Sequence, residues 1–395
     1  MTPPKPSLSL CMILRDEAEN LEISLGPIRD CFDEIVIVDT GSKDHTPELA
    51  RSFGARVIQT NWGDDFAAAR NMSIKEARGD WILWLDGDNR LTPRDIEEIR
   101  QHLDFKKESV LWCLEEVEPE GEQLMQKRVF PNRPEVKFKG RVHEQLVHPA
   151  HYRSIFTAVK IYHWGYKDRA EARKKGERNL RILQAMAEEE PGDAYVNYQL
   201  GKTLFNLRQY NQALKCLSLA ARPENNGLIN EGLFLHSHIL RARTLDRLGQ
   251  FQEAEECLEE TLAKNTEYGL AHYYMGRFLY ARSSYKTAEV HLRSFLLLGT
   301  NDLRVGLNTA RLTYTASLLR AKCLEATGDI PGAESAYCYA AQMDSNSPEP
   351  RLALSRLSLE QNRTSEARSY AHECLQISPG NRRAIELIGE ISARG

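Results

Sequence analysis

Five alanines, Ala213, Ala254, Ala288, Ala333 and Ala367, recur at separations of 41, 34, 45 and 34 residues, and they restrict the second half of this chain more than any other feature. Each sits a few residues into the second helix of an expected helix pair, as in Tyr210-Asn211-Gln212-Ala213, Phe251-Gln252-Glu253-Ala254 and Tyr285-Lys286-Thr287-Ala288. Two spacings equal a 34-residue helix-pair period and two are that period with insertions. Gly201, Gly249, Gly276 and Gly328 fall where such hairpins need small residues or turns. Helix pairs of this kind bury their apolar faces only by stacking, so the region from 192 to 395 reads as an all-α solenoid of about five repeats. Tyr195, Tyr198, Asn206, Arg243, Tyr274 and Arg277 fall on first helices, as packing residues between repeats or as the lining of a concave peptide-binding face.

The first hundred residues obey a different period. Leu8 to Leu14, Glu34 to Asp39, Ala55 to Gln59 and Trp81 to Leu85 read as short strands, alternating with helical stretches at 18–28, 44–53 and 66–76. That alternation predicts a mostly parallel, Rossmann-like sheet with helices on its faces. Thr46-Pro47 and Thr92-Pro93 look like helix caps followed by first helical residues. Strands follow at 109–117 and 126–130, and an aromatic run, Lys160 to Tyr166, closes this part. A basic amphipathic helical stretch from Arg169 leads into the repeats, giving expected segments of 1–166, a 167–191 linker and 192–395.

Ligands of open α/β sheets bind beyond the carboxyl ends of the strands, where Asp39, the Trp62 to Asp65 loop and Asp86 would converge. Leu14 to Glu17 offers no glycine, so no GxGxxG dinucleotide turn follows the first strand, and no GxxxxGK phosphate loop is present. The sharpest chemical signal is Trp81-Ile82-Leu83-Trp84-Leu85-Asp86-Gly87-Asp88. A turn at a strand end can bring Asp86 and Asp88 toward one hard cation, and such a cation held against a nucleoside diphosphate would stabilise a leaving group. The same tripeptide alone is often only a solvent-facing turn. His143-Glu144 and His163, near aromatic strand ends, are either structural or able to hold an acceptor and remove its proton.

With 395 residues, 27 % charged side chains and a formal net charge of -4, the composition fits a soluble protein of two or three domains and requires neither nucleic acid nor an anionic membrane as partner. Arg15, Asp16 and Glu17 interrupt the first apolar stretch, so neither a signal peptide nor a membrane span is expected, and cytoplasmic residence is the default. Eight cysteines without a CxxC pair suit reduced core thiols.

The runs Leu10 to Glu17, Val38 to Thr46, Trp62 to Asn71 and Leu85 to Asp88 resemble family 2 glycosyltransferases of the GT-A fold, over about 9–166. The repeats, over about 192–379, make the chain similar to the branch that joins this domain to tetratricopeptide repeats, which includes sublancin-type peptide S-glycosyltransferases. The resemblance implies a uridine diphosphate sugar donor, with Glu17 and Asp39 at its base or ribose and Asp65 and Arg70 completing the nucleotide wall. It implies Asp86 on the ribose and metal side, Asp88 as main metal ligand and His163 as a late further ligand. A histidine ligand favours Mn²⁺ over Mg²⁺. Family 2 enzymes generally invert the anomeric centre, and Glu144 is the expected base, with His143 as the other candidate. Arg141, permanently protonated, suits the diphosphate better. Asn89 stands where many relatives place an acid. A peptide or protein acceptor and a homodimer through the repeats are both compatible with the array. A lipopolysaccharide or other glycan acceptor, or a noncatalytic nucleotide-sugar-binding scaffold, are the competing readings.

Overall fold

The structure, a computed structural model, describes residues 5–119, 121–164, 169–226, 229–300 and 303–394. The expected boundary at 166 and 167 lies outside them. The chain forms two compact units, one of residues 1–234 with 303–307 and one of residues 235–302 with 308–395.

The first unit opens with β1 (Leu8–Leu14), α1 (Ala18–Ser24), β2 (Glu34–Asp39), α2 (Thr46–Ser52), β3 (Arg56–Gln59), α3 (Phe66–Glu76) and β4 (Trp81–Leu85). It continues with β5 (Asn89–Arg90), α4 (Pro93–Gln101), β6 (Ser109–Val117), β7 (Glu122–Pro131), β8 (Lys137–Lys139), β9 (Gln145–Val147) and β10 (Arg153–His163). α5 (Arg169–Glu189), α6 (Ala194–Asn206) and α7 (Tyr210–Ala220) complete it. The main sheet runs β3-β2-β1-β4-β7-β6-β10-β5, and β8 and β9 form a separate ribbon. β1, β2, β3 and β4 pair in parallel, while β7 is antiparallel to β4 and to β6. The expected α/β fold with a mainly parallel, GT-A-like sheet is the one observed.

β1, β2 and β4 are nearly continuous apolar runs because both of their faces are covered. Leu8, Leu10, Met12 and Leu14 join Trp81, Leu83 and Leu85 in one core with Leu21, Ile96 and Ile99. Cys11, Val36, Ile82 and Trp84 join Ala67, Ile74, Phe130 and Phe138 in the other. Fully burying each large side chain stabilises the fold by about 1.5–3 kcal/mol. Strand alternation has a consequence for chemistry: Asp86, the residue after β4, continues the face of Ile82 and Trp84.

Local details differ from expectation in two places. α1 stops at Ser24 rather than near Ile28, and a Cβ on Gly26 would meet the Glu22 carbonyl oxygen at 2.4 Å. Thr46 does not cap α2, whose first helical residue it is; its hydroxyl instead accepts the Glu17 N–H at 2.9 Å. Thr92 does cap α4, in a reciprocal box with Asp95.

The second unit holds the rest of α8 (Glu231–Arg247), then α9 (Phe251–Lys264), α10 (Gly269–Ala281), α11 (Tyr285–Leu298), α12 (Thr309–Ala326), α13 (Ile330–Met343), α14 (Glu349–Glu360), α15 (Thr364–Ile377) and α16 (Arg382–Arg394). It is the expected paired-helix array, and Ala254, Ala288, Ala333 and Ala367 are all fully buried. The glycines divide by role. A Cβ on Gly276 would meet Leu292 Cγ at 2.7 Å, whereas Gly249 and Gly328 turn the chain at φ 78° and 85°. All eight cysteines are free thiols, and among the described residues no helix is long and apolar enough to cross a membrane.

Candidate active site

Trp84 organises the site. Its ring is flanked by two guanidinium groups, Arg70 from α3 at 4.0 Å and Arg128 from β7 at 3.8 Å from the ring centroid. Both arginines are buried, and charges taken out of water must be paired. Arg70 Nη2 donates to Asp86 Oδ1 at 2.8 Å and its Nε donates to Glu144 Oε1 at 2.5 Å. Arg128 donates to Asn89 Oδ1 at 3.0 Å, lies 3.0 Å from Glu115 Oε1 and 3.8 Å from Asp86 Oδ2. Burial opposes ionisation of Asp86, but the two arginines outweigh it and hold its carboxyl at about 2.

Gly87 lets the turn close onto Glu17. A Cβ there would sit 3.0 Å from both Glu17 Cγ and Leu14 Cδ2. Glu17 accepts from Asn20 Nδ2 at 2.6 Å. Its carboxyl is pushed up by burial and by the charges of Asp88 and Asp86, with Asn20 and Lys175 opposing. Asp88 is likewise pushed up, by burial first and then by Asp86, while His163 pulls the other way. Asp88 Oδ1 is buried with no hydrogen-bond partner, and His163 Nδ1 stands 3.3 Å from it. Acids whose ionisation is resisted by burial and by one another are suited to receive a cation.

β-sheet pairing brings His163 there. β5 pairs antiparallel with the end of β10, setting His163 opposite Asn89. The Asn89 amide lies 3.1 Å from His163 Nδ1, and Asn89 Oδ1 accepts the Asp86 N–H as well as Arg128. Asn89 is therefore a buried hub that ties the acid turn to β7 and β10. Among the described residues, Asp86, Asp88 and His163 do not gather into a three-ligand cluster, since Asp86 is turned to the arginines.

The remaining residues singled out from sequence are placed variously. Asp39 is buried at the end of β2, and its carboxylate accepts from the Gly41 and Ser42 N–H groups and the Ser42 hydroxyl. Asp65 caps α3 through the Ala68 N–H at 2.8 Å. Arg141 Nη2 is held by both oxygens of Glu189, at 2.7 and 2.8 Å. His143, with φ 52°, adjoins Glu144 and is an exposed residue on the wall of a concave cleft, where desolvation and then the charge of Lys202 lower its pKa to about 4. Its carbonyl accepts the Tyr195 hydroxyl from α6 at 2.8 Å. That cleft, of about 780 Å³, includes Arg70, Asp86, Glu144, Tyr195, Tyr198 and Lys202 in its walls.

Arg128, Glu115 and the positioning role of Tyr195 escaped the reading of the sequence. The available signal was a charge, Arg128, directly before the core residues Val129 and Phe130 in a strand. A separate groove of about 430 Å³ in the second unit has charges already matched, Arg356 and Lys322 to Glu325 and Glu349.

A mainly parallel sheet with an acid turn at the end of β4, joined to helix-pair repeats, defines the class. The model of glycosyl transferase family 2 matches residues 9–161, and tetratricopeptide repeat models match 194–222 and 239–294. A TPR repeat-containing protein of Synechococcus elongatus is 34 % identical over 289 residues, 68 % of this chain and 71 % of that protein. The SPbeta prophage-derived glycosyltransferase SunS of Bacillus subtilis is 26 % identical over 226 residues, 54 % of this chain and 52 % of SunS, so the chain spans about half of that relative. YrrB, a TPR protein of known structure, has a TM-score of 0.42 at 16 % identity, over 52 % of this chain and 97 % of its own, too remote to carry weight. The chain carries a family 2 glycosyltransferase catalytic domain fused to C-terminal tetratricopeptide repeats.

Proposed function

We propose that the chain transfers a hexosyl group from a nucleoside diphosphate donor, with uridine as the favoured base, to a peptide or protein side chain, inverting the anomeric carbon. The observation that carries this reading is the Asp86–Arg70–Glu144 chain of ion pairs, which fixes a carboxylate on the wall of the cleft beside the acid turn.

The orphaned Asp88 Oδ1 fits a divalent cation, and Asp88 with His163 would hold it, Mn²⁺ suiting the mixed oxygen and nitrogen set. When bound, the ion would neutralise charge developing on the departing diphosphate. Glu17 and Asp39, at the ends of β1 and β2, would receive the nucleoside. Arg70 holds Glu144 Oε1, so Oε2 takes the proton as the acceptor heteroatom attacks the anomeric carbon and the carbon–oxygen bond to the diphosphate breaks. His143, neutral near pH 7, is less suited to that step because its conjugate acid is disfavoured. The cleft wall also includes Tyr195 and Tyr198 of the first repeat helix, which would give an extended acceptor somewhere to lie. Residence in the cytoplasm and assembly as a homodimer through the repeats belong to the same reading; light scattering tests the latter.

NMR of the first-formed product from an α-linked donor tests the stereochemistry. A β-linked product supports direct displacement assisted by Glu144, and an α-linked product overturns it.

A further inference from the structure

We propose that His238, Cys257 and Glu260 form a binding site for a zinc-class divalent transition ion within the second unit. His238 lies on α8, and Cys257 and Glu260 lie one turn apart on α9. One ligand atom from each falls within 4.8 Å of the other two, and no other His, Cys, Asp or Glu trio among the described residues does so.

The repeat explains why they meet. His238 precedes the reference alanine Ala254 by sixteen residues and Cys257 follows it by three. At the same two positions around Ala288 stand His272 and His291, whose Nδ1 atoms are 3.0 Å apart. Those positions therefore face each other across a hairpin. Around Ala333 and Ala367 they hold Ser317 with Ala336 and Arg351 with Tyr370. At this pair of positions only two of these four hairpins carry ligand types on both helices. Of these only the α8–α9 hairpin adds a carboxylate, since the counterpart of Glu260 in the next repeat is Ser294.

The chemistry of the set selects the ion. One nitrogen, one sulfur and one carboxylate oxygen suit Zn²⁺ or Co²⁺ and not Mg²⁺ or Ca²⁺. Tetrahedral bonds of about 2.0–2.3 Å put ligand atoms about 3.3–3.8 Å apart, so side-chain shifts of about 1 Å close the site. His238 and Cys257 are buried and Glu260 is exposed, which leaves the fourth position open to water. Binding replaces the Cys257 thiol proton, released to solvent, with a metal–sulfur bond. Thiolate and Glu260 together offset the ion's charge. Arg241 and Lys264 act on both His238 and Cys257 and work against tight binding, which points to a moderate-affinity staple between α8 and α9.

Co²⁺ added to the full chain after chelator treatment is the direct probe, because thiolate ligation gives a charge-transfer band in the near ultraviolet that carboxylate sites lack. The expected result is a band saturating at one equivalent, absent in Cys257→Ser, retained in Cys216→Ser and displaced by Zn²⁺. Glu260→Gln, at an exposed position that folding tolerates, should weaken Co²⁺ binding at least about tenfold. No band in the folded full chain, a band that survives Cys257→Ser, or unchanged affinity in Glu260→Gln would overturn the proposal. Asp88→Ala should leave the band intact, so loss of sugar transfer and loss of this site are separately visible.

Discussion

The two units differ in how much charge they bury beside their apolar cores. The first unit packs Arg70, Arg128, Asp86, Glu115 and Glu144 in mutual contact around Trp84, at the end of an apolar sheet. The second buries alanine, leucine and tyrosine between helices and matches ions such as Arg282 with Asp246 near its surface. Buried charge is costly to assemble and is justified by a task, whereas a stacked helix array needs only small residues at close approaches. The contrast teaches where chemistry and where scaffold reside, and substitutions in each unit should fail differently.

The largest effect should come from Arg70→Met, which strands Asp86 and Glu144. Removing one partner of a buried pair costs about 3–5 kcal/mol, so urea unfolding of the first unit should show a loss of that size. A change under about 1 kcal/mol would mean that the pairs behave as surface pairs. Next, Glu144→Gln should lower turnover at least about a hundredfold while leaving donor affinity unchanged, as steady-state kinetics with donor titration would show; its stability loss should be smaller than that of Arg70→Met, because Asp86 still pairs with Arg70. A variant within a few-fold of the parent would remove Glu144 as base.

Smaller still, Gly276→Ala should destabilise the second unit by about 1–3 kcal/mol through overpacking on Leu292, with nucleotide release from the donor unaltered. The last contrast is in acid. Asp86, lowered to about 2 from 3.8 against its own burial, contributes stability above pH 3.8 that is lost as pH falls through 2. His291, lowered from 6.5 to about 4 by burial and then by His272, resists protonation in the fold while the unfolded chain accepts it. The second unit should thus soften from pH 6.5 toward 4, a slope that His291→Asn reduces without abolishing, since burial lowers His238 in the same way, and the first unit should share such a slope through His143 while the Asp86 contribution is still intact.

Much of this was legible before any coordinates. Asp86 and Asp88 stood out because an apolar strand ends in them, and the alanine period identified the repeats because stacking repeats one environment. Arg128 and Glu115 did not stand out, and Asn89 did so only as a residue standing where relatives place an acid. Their meeting depends on β5 pairing with β10 and β7 pairing with β4 and β6, contacts between distant segments that no local pattern specifies. Thr46 misled for a related reason: its hydroxyl is taken by Glu17 from another loop, so a local cap signal lost to a tertiary partner. Nor does spacing say that Arg141 would meet Glu189 on α5, whose start falls only six residues after β10.

The most direct measurement is nucleotide release from uridine diphosphate sugars by the full chain with Mn²⁺, Mg²⁺ or chelator, beside Asp88→Ala. Cation-dependent release that Asp88→Ala abolishes, with its fold intact by circular dichroism, is the predicted result. Release that persists in chelator, or in Asp88→Ala at the parent rate, would contradict the assignment of the acid turn as the metal-assisted centre of transfer.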